Sequence, residues 1–336
     1  LSHADQALGG EAEPVDDGAG PVANNNVRDP LHTGKLAFFI QRQTPHVFAA
    51  GAVQVLAEEM TEALQATRDQ AIATACSSGE PVTVSLAAKG VDFGTLTVQP
   101  TALQPCTYLV DTTAISGIDA DLVVRPFQWK GVIATIRAFN RDAAHQELGL
   151  QSVEIVGDGV DGDGDGVVNE LSVGDQTALA VYLASQPRPT TLRELAALGL
   201  IDPLSPAEEQ AIINGETLFD QSGCTSCHVA KLTLTDPIFY EPSQNPNYRD
   251  ALFPAGQQPV DLGVDPAFPL MVDLTKDQPD NQIETADGIV HLGSLTSNGQ
   301  GGAMAALYGD LKRHDMGPAL AETIDDEGIP ASVFLT

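Results

Sequence analysis

Apolar residues recur at three- and four-residue steps through Val53, Leu56, Met60 and Leu64. That spacing predicts a helix over 52–73 with one apolar face, entered after Thr44-Pro45. Between Cys76 and Cys106 the period shortens. Val82, Val84 and Leu86 alternate with polar residues, Lys89-Gly90 offers a turn, and Leu96 and Val98 alternate again. This pattern predicts a β-hairpin. Strand-like residues continue through Leu122 to Val124. A helical pattern then covers 131–148 and stops at Gly149, a residue suited to a left-handed cap. A further helix is expected over about 175–185, ending before Pro187. A short one is expected from Thr191 to Leu198, closed by Gly199.

Residues 1–35 are rich in Gly, Asp, Asn and Pro without periodicity and read as an irregular arm. Residues 187–205 read as a linker. Beyond it, Ser205-Pro206-Ala207-Glu208 combines an N-cap, a proline at the first helical position and a Glu at the third. The helix it opens should run to about Phe219. Residues 233–290, rich in Pro, Asp and Asn, read as mostly loop, and a last helix is expected over 302–312. No internal repeat is evident. The expected fold is therefore mainly α with a β-hairpin insertion. It divides into an arm (1–35), an N-terminal half (36–186), the linker (187–205) and a C-terminal domain (206–336).

Charge changes the picture. The chain of 336 residues carries 46 acidic against 16 basic residues, a formal net of −30. Nucleic-acid binding is not expected, because phosphate contacts need clustered Lys and Arg. Such a surface repels itself in solution, as in a salty environment, and steers basic partners. No run of apolar residues is long enough for a membrane helix, and no secretory leader is visible. The sequence starts at Leu1, which reads as a mature product or a fragment.

The strongest chemistry lies at Cys224-Thr225-Ser226-Cys227-His228. Two thiols three positions apart reach the two vinyl groups of one porphyrin, and the adjacent histidine then lies under the iron. A zinc site would need two more ligands of matching spacing, and a thioredoxin-like pair would need a βαβ setting. Neither is present, so covalent haem c is expected. Gly215, Leu218 and Phe219 on the preceding helix suit such a site. Candidates for the sixth iron ligand are His291, Met304, His314 and Met316. Met316 is preferred and His314 is its alternative, because Gly317-Pro318 suit a bent loop at a haem edge.

A second motif runs from Asp161 through Asp163, Asp165 and Gly166 to Asn169 and Glu170. Acidic residues at loop positions 1, 3 and 5, Gly at 6 and Asn at 9 match the oxygen-rich pattern of a calcium loop, with Val167 supplying its carbonyl. The last position is Ser172 rather than Glu, so Glu170 or Asp175 would have to substitute. An acidic solvated turn is the plainer reading of the same residues.

Thioether attachment of haem is made outside the bacterial cytoplasm, so a periplasmic or extracellular location is expected. Of the 4 cysteines, Cys76 and Cys106 stay outside the haem motif. In an exported chain they favour a disulfide, which would close the base of the hairpin. Two buried free thiols are the alternative.

Several segments in order resemble the bacterial di-haem cytochrome c peroxidase superfamily, and more closely its di-haem oxidoreductase branch. They are Pro45 to Leu56 (PHVFAAGAVQVL), Arg125 to Gly131 (RPFQWKG), the calcium-like loop with its following helix, Cys224 to His228, and Asp310 to Glu322 (DLKRHDMGPALAE). The resemblance implies cytochrome c-like domains with a haem each. It implies an electron relay at Trp129, the one tryptophan, whose plainer role is a large core aromatic. It also implies reduction of peroxide or oxidation of a small molecule, with a redox partner protein as donor. The sequence departs from the family in having one CxxCH motif instead of two. The missing one would fall near or before Asp17–Gly20, with His46 and His145 as ligands or neighbours of its haem, and the family pattern continues beyond Thr336. Two functions follow: an exported peroxidase-like oxidoreductase, or a mono-haem electron carrier or subunit of a larger cytochrome assembly.

Overall fold

The computed structural model describes residues 46–162, 164, 166–250, 253, 256–276, 282–293, 295–322 and 328–336. The irregular arm expected over 1–35 lies outside them.

Helix α1 (Ala50–Ser78) forms the centre. Leu56, Met60 and Leu64 are fully buried along it, and each contributes about 2 kcal/mol by leaving water. The helix ends where Gly79 takes a left-handed conformation and its N–H bonds Ala75 O. Its first turn lies so close to the chain at Ala184 that a Cβ on Gly51 would meet the Ala184 oxygen at 2.4 Å.

The predicted hairpin is present as β1 (Val82–Ala88) and β2 (Val91–Leu103). Lys89 and Gly90 both have positive φ, as a two-residue primed turn requires. A third strand, β3 (Cys106–Asp111), extends the sheet in the order β1-β2-β3. Leu86, Phe93, Leu96 and Val98 bury themselves against α1. The disulfide Cys76–Cys106 ties the last turn of α1 to the start of β3, with 5.8 Å between the Cα atoms. Residues 122–124 form no strand. They are held instead by Thr61, which accepts from Val124 N at 2.9 Å and bonds the Tyr248 hydroxyl at 2.8 Å.

Helix α2 (Ile136–Leu148) starts later than its pattern suggests, at Thr135, whose side chain caps Ala138 N. A short α3 (Val153–Val156) follows, then α4 (Val173–Ala184), α5 (Leu192–Ala197) and α6 (Pro206–Gln221). Capping boxes open α4, α5 and α6. One buried cluster joins α1 to residues on both sides of 187–205, among them Leu232, Leu234, Phe239 and Ala303.

The expected mainly-α fold with cytochrome c-like domains is not what forms. The described residues are 33% helical and 23% strand, with 6 helices and several small antiparallel sheets. The difference lies after α6. The sheets there are β4 (Leu232–Leu234) with β10 (Ala303–Ala305) and β9 (Thr296–Ser297), β5 (Ile238–Glu241) with β6 (Leu270–Asp273), β7 (Gln282–Thr285) with β8 (Gly288–His291), and β11 (Arg313–Asp315) with β12 (Val333–Leu335). The helix expected over 302–312 is absent. Ala303 and Ala305 are buried while Met304 is not, a period of two. Pairing with β4 and β9 overrides the helix propensity of Ala, Met and Leu over so short a run. The described residues of 233–290 lie mostly outside α-helices and strands, as expected, and carry β5, β6 and β7 with parts of β4 and β8.

The chain's end is clamped by Lys130, which is 1% exposed. Its ammonium pairs with Glu322 at 2.9 Å, donates to Val333 O at 2.9 Å and sits 4.0 Å over the Phe334 ring. Among the described residues no helix is long and apolar enough to cross a membrane.

Candidate functional site

Helix α6 delivers the cysteine motif. Gly223, in the left-handed region, turns the chain out of the helix. Cys224–Ser226 then forms one 3₁₀ turn, closed by Cys227 N to Cys224 O at 3.3 Å and His228 N to Cys224 O at 2.9 Å. The bond from Cys227 N to Cys224 O keeps the two cysteines within a single turn. They are free and partly exposed. Thr225 Oγ1 donates to Asp220 at 3.0 Å and Ser226 Oγ to Gly223 O at 2.7 Å, which stiffens the turn.

His228 Nδ1 lies 2.9 Å from the carbonyl oxygen of Tyr308. A backbone carbonyl can only accept, so Nδ1 carries the proton, and in a neutral imidazole the lone pair is then on Nε2. That is the tautomer a metal-ligating histidine needs. Phe219 stands beside the ring at 6.0 Å and meets Tyr308 edge-on at 6.1 Å. From β11, His314 brings Nδ1 to 3.5 Å from Cys227 Sγ and Nε2 to 2.9 Å from the buried carboxylate of Asp310.

The surroundings are apolar yet uncovered. Helix α6 buries no residue, and Leu218, Tyr308, Met316 and Leu320 are all exposed. Paired thiols, a histidine nitrogen and an uncovered apolar surface fit a haem c. Cys224, Cys227 and His228 would hold it.

The other expected site residues fall as follows. Met316 follows β11, half-exposed, with its N–H on Ser332 O. The Met304 sulfur, in β10, accepts from Thr233 Oγ1 at 3.2 Å, so it belongs to the β4–β10 pair. Only the backbone of His291, in β8, is described. Trp129 is half-buried, and its carbonyl accepts from Leu335 N at 2.9 Å. Leu335 pairs with Arg313 in the two-stranded sheet that also carries His314, so Trp129 lies beside the strands that reach the cysteine motif. His46 is exposed and stacks at 5.8 Å on Phe48, while His145 lies in α2.

In the acidic loop, Asp161 accepts from Gly164 N at 2.7 Å and Gly166 N at 3.0 Å, winding the chain around its own first carboxylate. Asn169 accepts from Gly159 N at 2.7 Å and Glu170 from Gln151 N. Asp175 is taken by the α4 capping box, where the Ser172 hydroxyl and amide hold its carboxylate below the usual range, so it is not a substitute for the missing last position. Val167 is exposed. Asp163 and Asp165 lie outside the described residues. Among those described, no three His, Cys, Asp or Glu side chains converge on one point.

Two features had no sequence signal. The Tyr308 carbonyl is 80 positions from His228 and depends wholly on tertiary placement. The second is a buried ionic network. Arg137 contacts Glu154 and Glu241, and Arg141 contacts Glu154 and Asp250. Burial pushes the Glu241 carboxyl up, against the pull of Arg137.

No family model, curated protein or solved structure matches the chain.

Proposed function

We propose that this chain is an exported electron-transfer protein of the di-haem peroxidase-like lineage, holding a haem c on Cys224 and Cys227 with His228 as axial ligand. The observation that carries this is His228 Nδ1 on Tyr308 O at 2.9 Å, next to a turn that holds Cys224 and Cys227 within one main-chain hydrogen bond. The haem, when bound, supplies a one-electron couple whose potential depends on its axial ligands. The protein's own work is to fix the imidazole, to present apolar surface from Leu218, Phe219 and Tyr308, and to offer the Met316 thioether as a second ligand. The disulfide supports export, and the net charge of −30 favours a basic redox partner.

The lineage rests on the ordered segments from Pro45 to Glu322, with Trp129 beside the strands that reach the motif. A mono-haem electron carrier is the second reading, favoured by the single CxxCH. The proposal is tested by the haem content per chain from pyridine haemochrome absorbance. Covalent haem lost in Cys224→Ser/Cys227→Ser supports it, and no covalent haem on the exported protein overturns it. Peroxide-dependent oxidation of a reduced donor cytochrome then supports the peroxidase-like activity. Electron exchange without that turnover supports the carrier.

We further propose that the 161–170 loop binds calcium through Asp161, the Val167 carbonyl and the remaining oxygen ligands Asp163, Asp165, Asn169 and Glu170. The winding of Gly164 and Gly166 onto Asp161 favours it. Calcium should raise the melting temperature of the wild type and not that of Asp161→Ala, and equal responses would refute it.

A further inference from the structure

A cavity of about 290 Å³ opens between the start of α2, the end of β5 and the chain that follows β5. No residue of the cysteine motif lines it. Its walls are largely apolar, with Pro246, Phe253, Val260 and Val264 among them. Tyr248 gives it a ring rather than a hydroxyl, because that hydroxyl bonds Thr61 and Val124 O.

The polar groups in the wall are unequal. Arg137 and Glu241 satisfy each other at 2.6 Å, and Asp250 is held by Arg141 at 2.7 Å. Arg249 is different. Its one hydrogen bond among the described residues is a 3.4 Å contact to Gln244 O. Every other arginine among the described residues makes at least one ion pair. A guanidinium left without a carboxylate among the described residues, at the wall of an apolar cavity, has donors to offer a ligand.

We propose that this cavity binds a small monocarboxylate with an apolar body, the carboxylate on Arg249 and the body against Phe253, Val260 and Val264. A planar guanidinium matches a carboxylate in two parallel bonds. A single negative charge suits the site better than a phosphate dianion, because Glu241 and Asp250 share the wall. The volume, near the lower end for ligand sites, limits the guest to a small molecule.

The test is titration calorimetry of the full chain with phenylacetate and hexanoate, each against its neutral amide. The acids should bind, with the amides about ten-fold weaker or more, from loss of the charge-assisted pair. Arg249→Gln should weaken the acids by a similar factor, and Val260→Trp should block them. Acids and amides binding alike, no acid binding, or full binding by Arg249→Gln would each overturn the proposal. If a variant does not fold, the acid-to-amide comparison on the wild type decides alone.

Discussion

His314 sits between Cys227 and Asp310, its Nδ1 3.5 Å from the thiol sulfur and its Nε2 2.9 Å from the carboxylate. Both ring nitrogens therefore have partners within the protein, and a histidine so held steadies the strand beside the motif instead of reaching for iron. Met316 has a half-exposed side chain two residues further on. With Met316 as ligand of the proposed haem, replacing Met316 with Ala should abolish the sulfur-to-iron band at the red end of the ferric haem spectrum. His314→Ala should leave that band in place. A band kept in Met316→Ala would rule Met316 out and move attention to Met304.

The Cys76–Cys106 bond closes a loop with a sequence separation of 30. Constraining that loop in the unfolded chain is worth about 3–4 kcal/mol. Cys76→Ser/Cys106→Ser should lose roughly that in urea unfolding, and should lower stability without changing haem content, because neither cysteine lies near the motif in sequence.

Glu58 makes stability depend on pH. Burial raises its carboxyl to about 7, opposed by bonds to Gln54 and Ser243 and helped by Glu62 and Glu241. A carboxyl whose folded value is raised stabilises the fold fully below its unfolded value of 4.5. That contribution is lost as pH climbs through the folded value, because the native state then gives up a proton it had kept. The loss between pH 4.5 and 7 is about 3 kcal/mol at most. Glu58→Gln should flatten this part of the stability curve and unfold at higher urea than the wild type at pH 8. An identical pH dependence in both proteins would refute the assignment.

Arg137 holds Glu154 and Glu241 together in the interior, with its side chain 7% exposed. Removing one partner of a buried pair strands the other charge and costs about 3–5 kcal/mol. Arg137→Met should cost that much in urea unfolding. Adding Glu154→Gln to it should cost less than the two single changes together, because the stranded charge is then gone. Additive costs would show that the groups act independently.

Local rules were readable wherever a segment settles its own structure. The 3.6-residue pattern of Val53, Leu56, Met60 and Leu64 is α1 in outline, and the Ser205 capping box starts α6 where expected. Lys89-Gly90 is the hairpin turn. The chain after α6 resists such reading. Its strands are two to four residues long, too short to show an alternation, and Ala303-Met304-Ala305 becomes a strand only because β4 and β9 lie beside it.

By itself the sequence determined what chemistry the chain can carry: two thiols and a histidine at one spacing, an oxygen-rich loop, two further cysteines and a strongly acidic surface. These follow from residue type and spacing along a few positions. Tertiary structure decided which groups support them. The Tyr308 carbonyl orients His228, Asp310 and Cys227 engage His314, Arg137 threads three elements together, and Arg249 is left without an acid among the described residues. Each joins atoms far apart in the chain, or turns on the lack of such a contact, so only the folded packing could decide them.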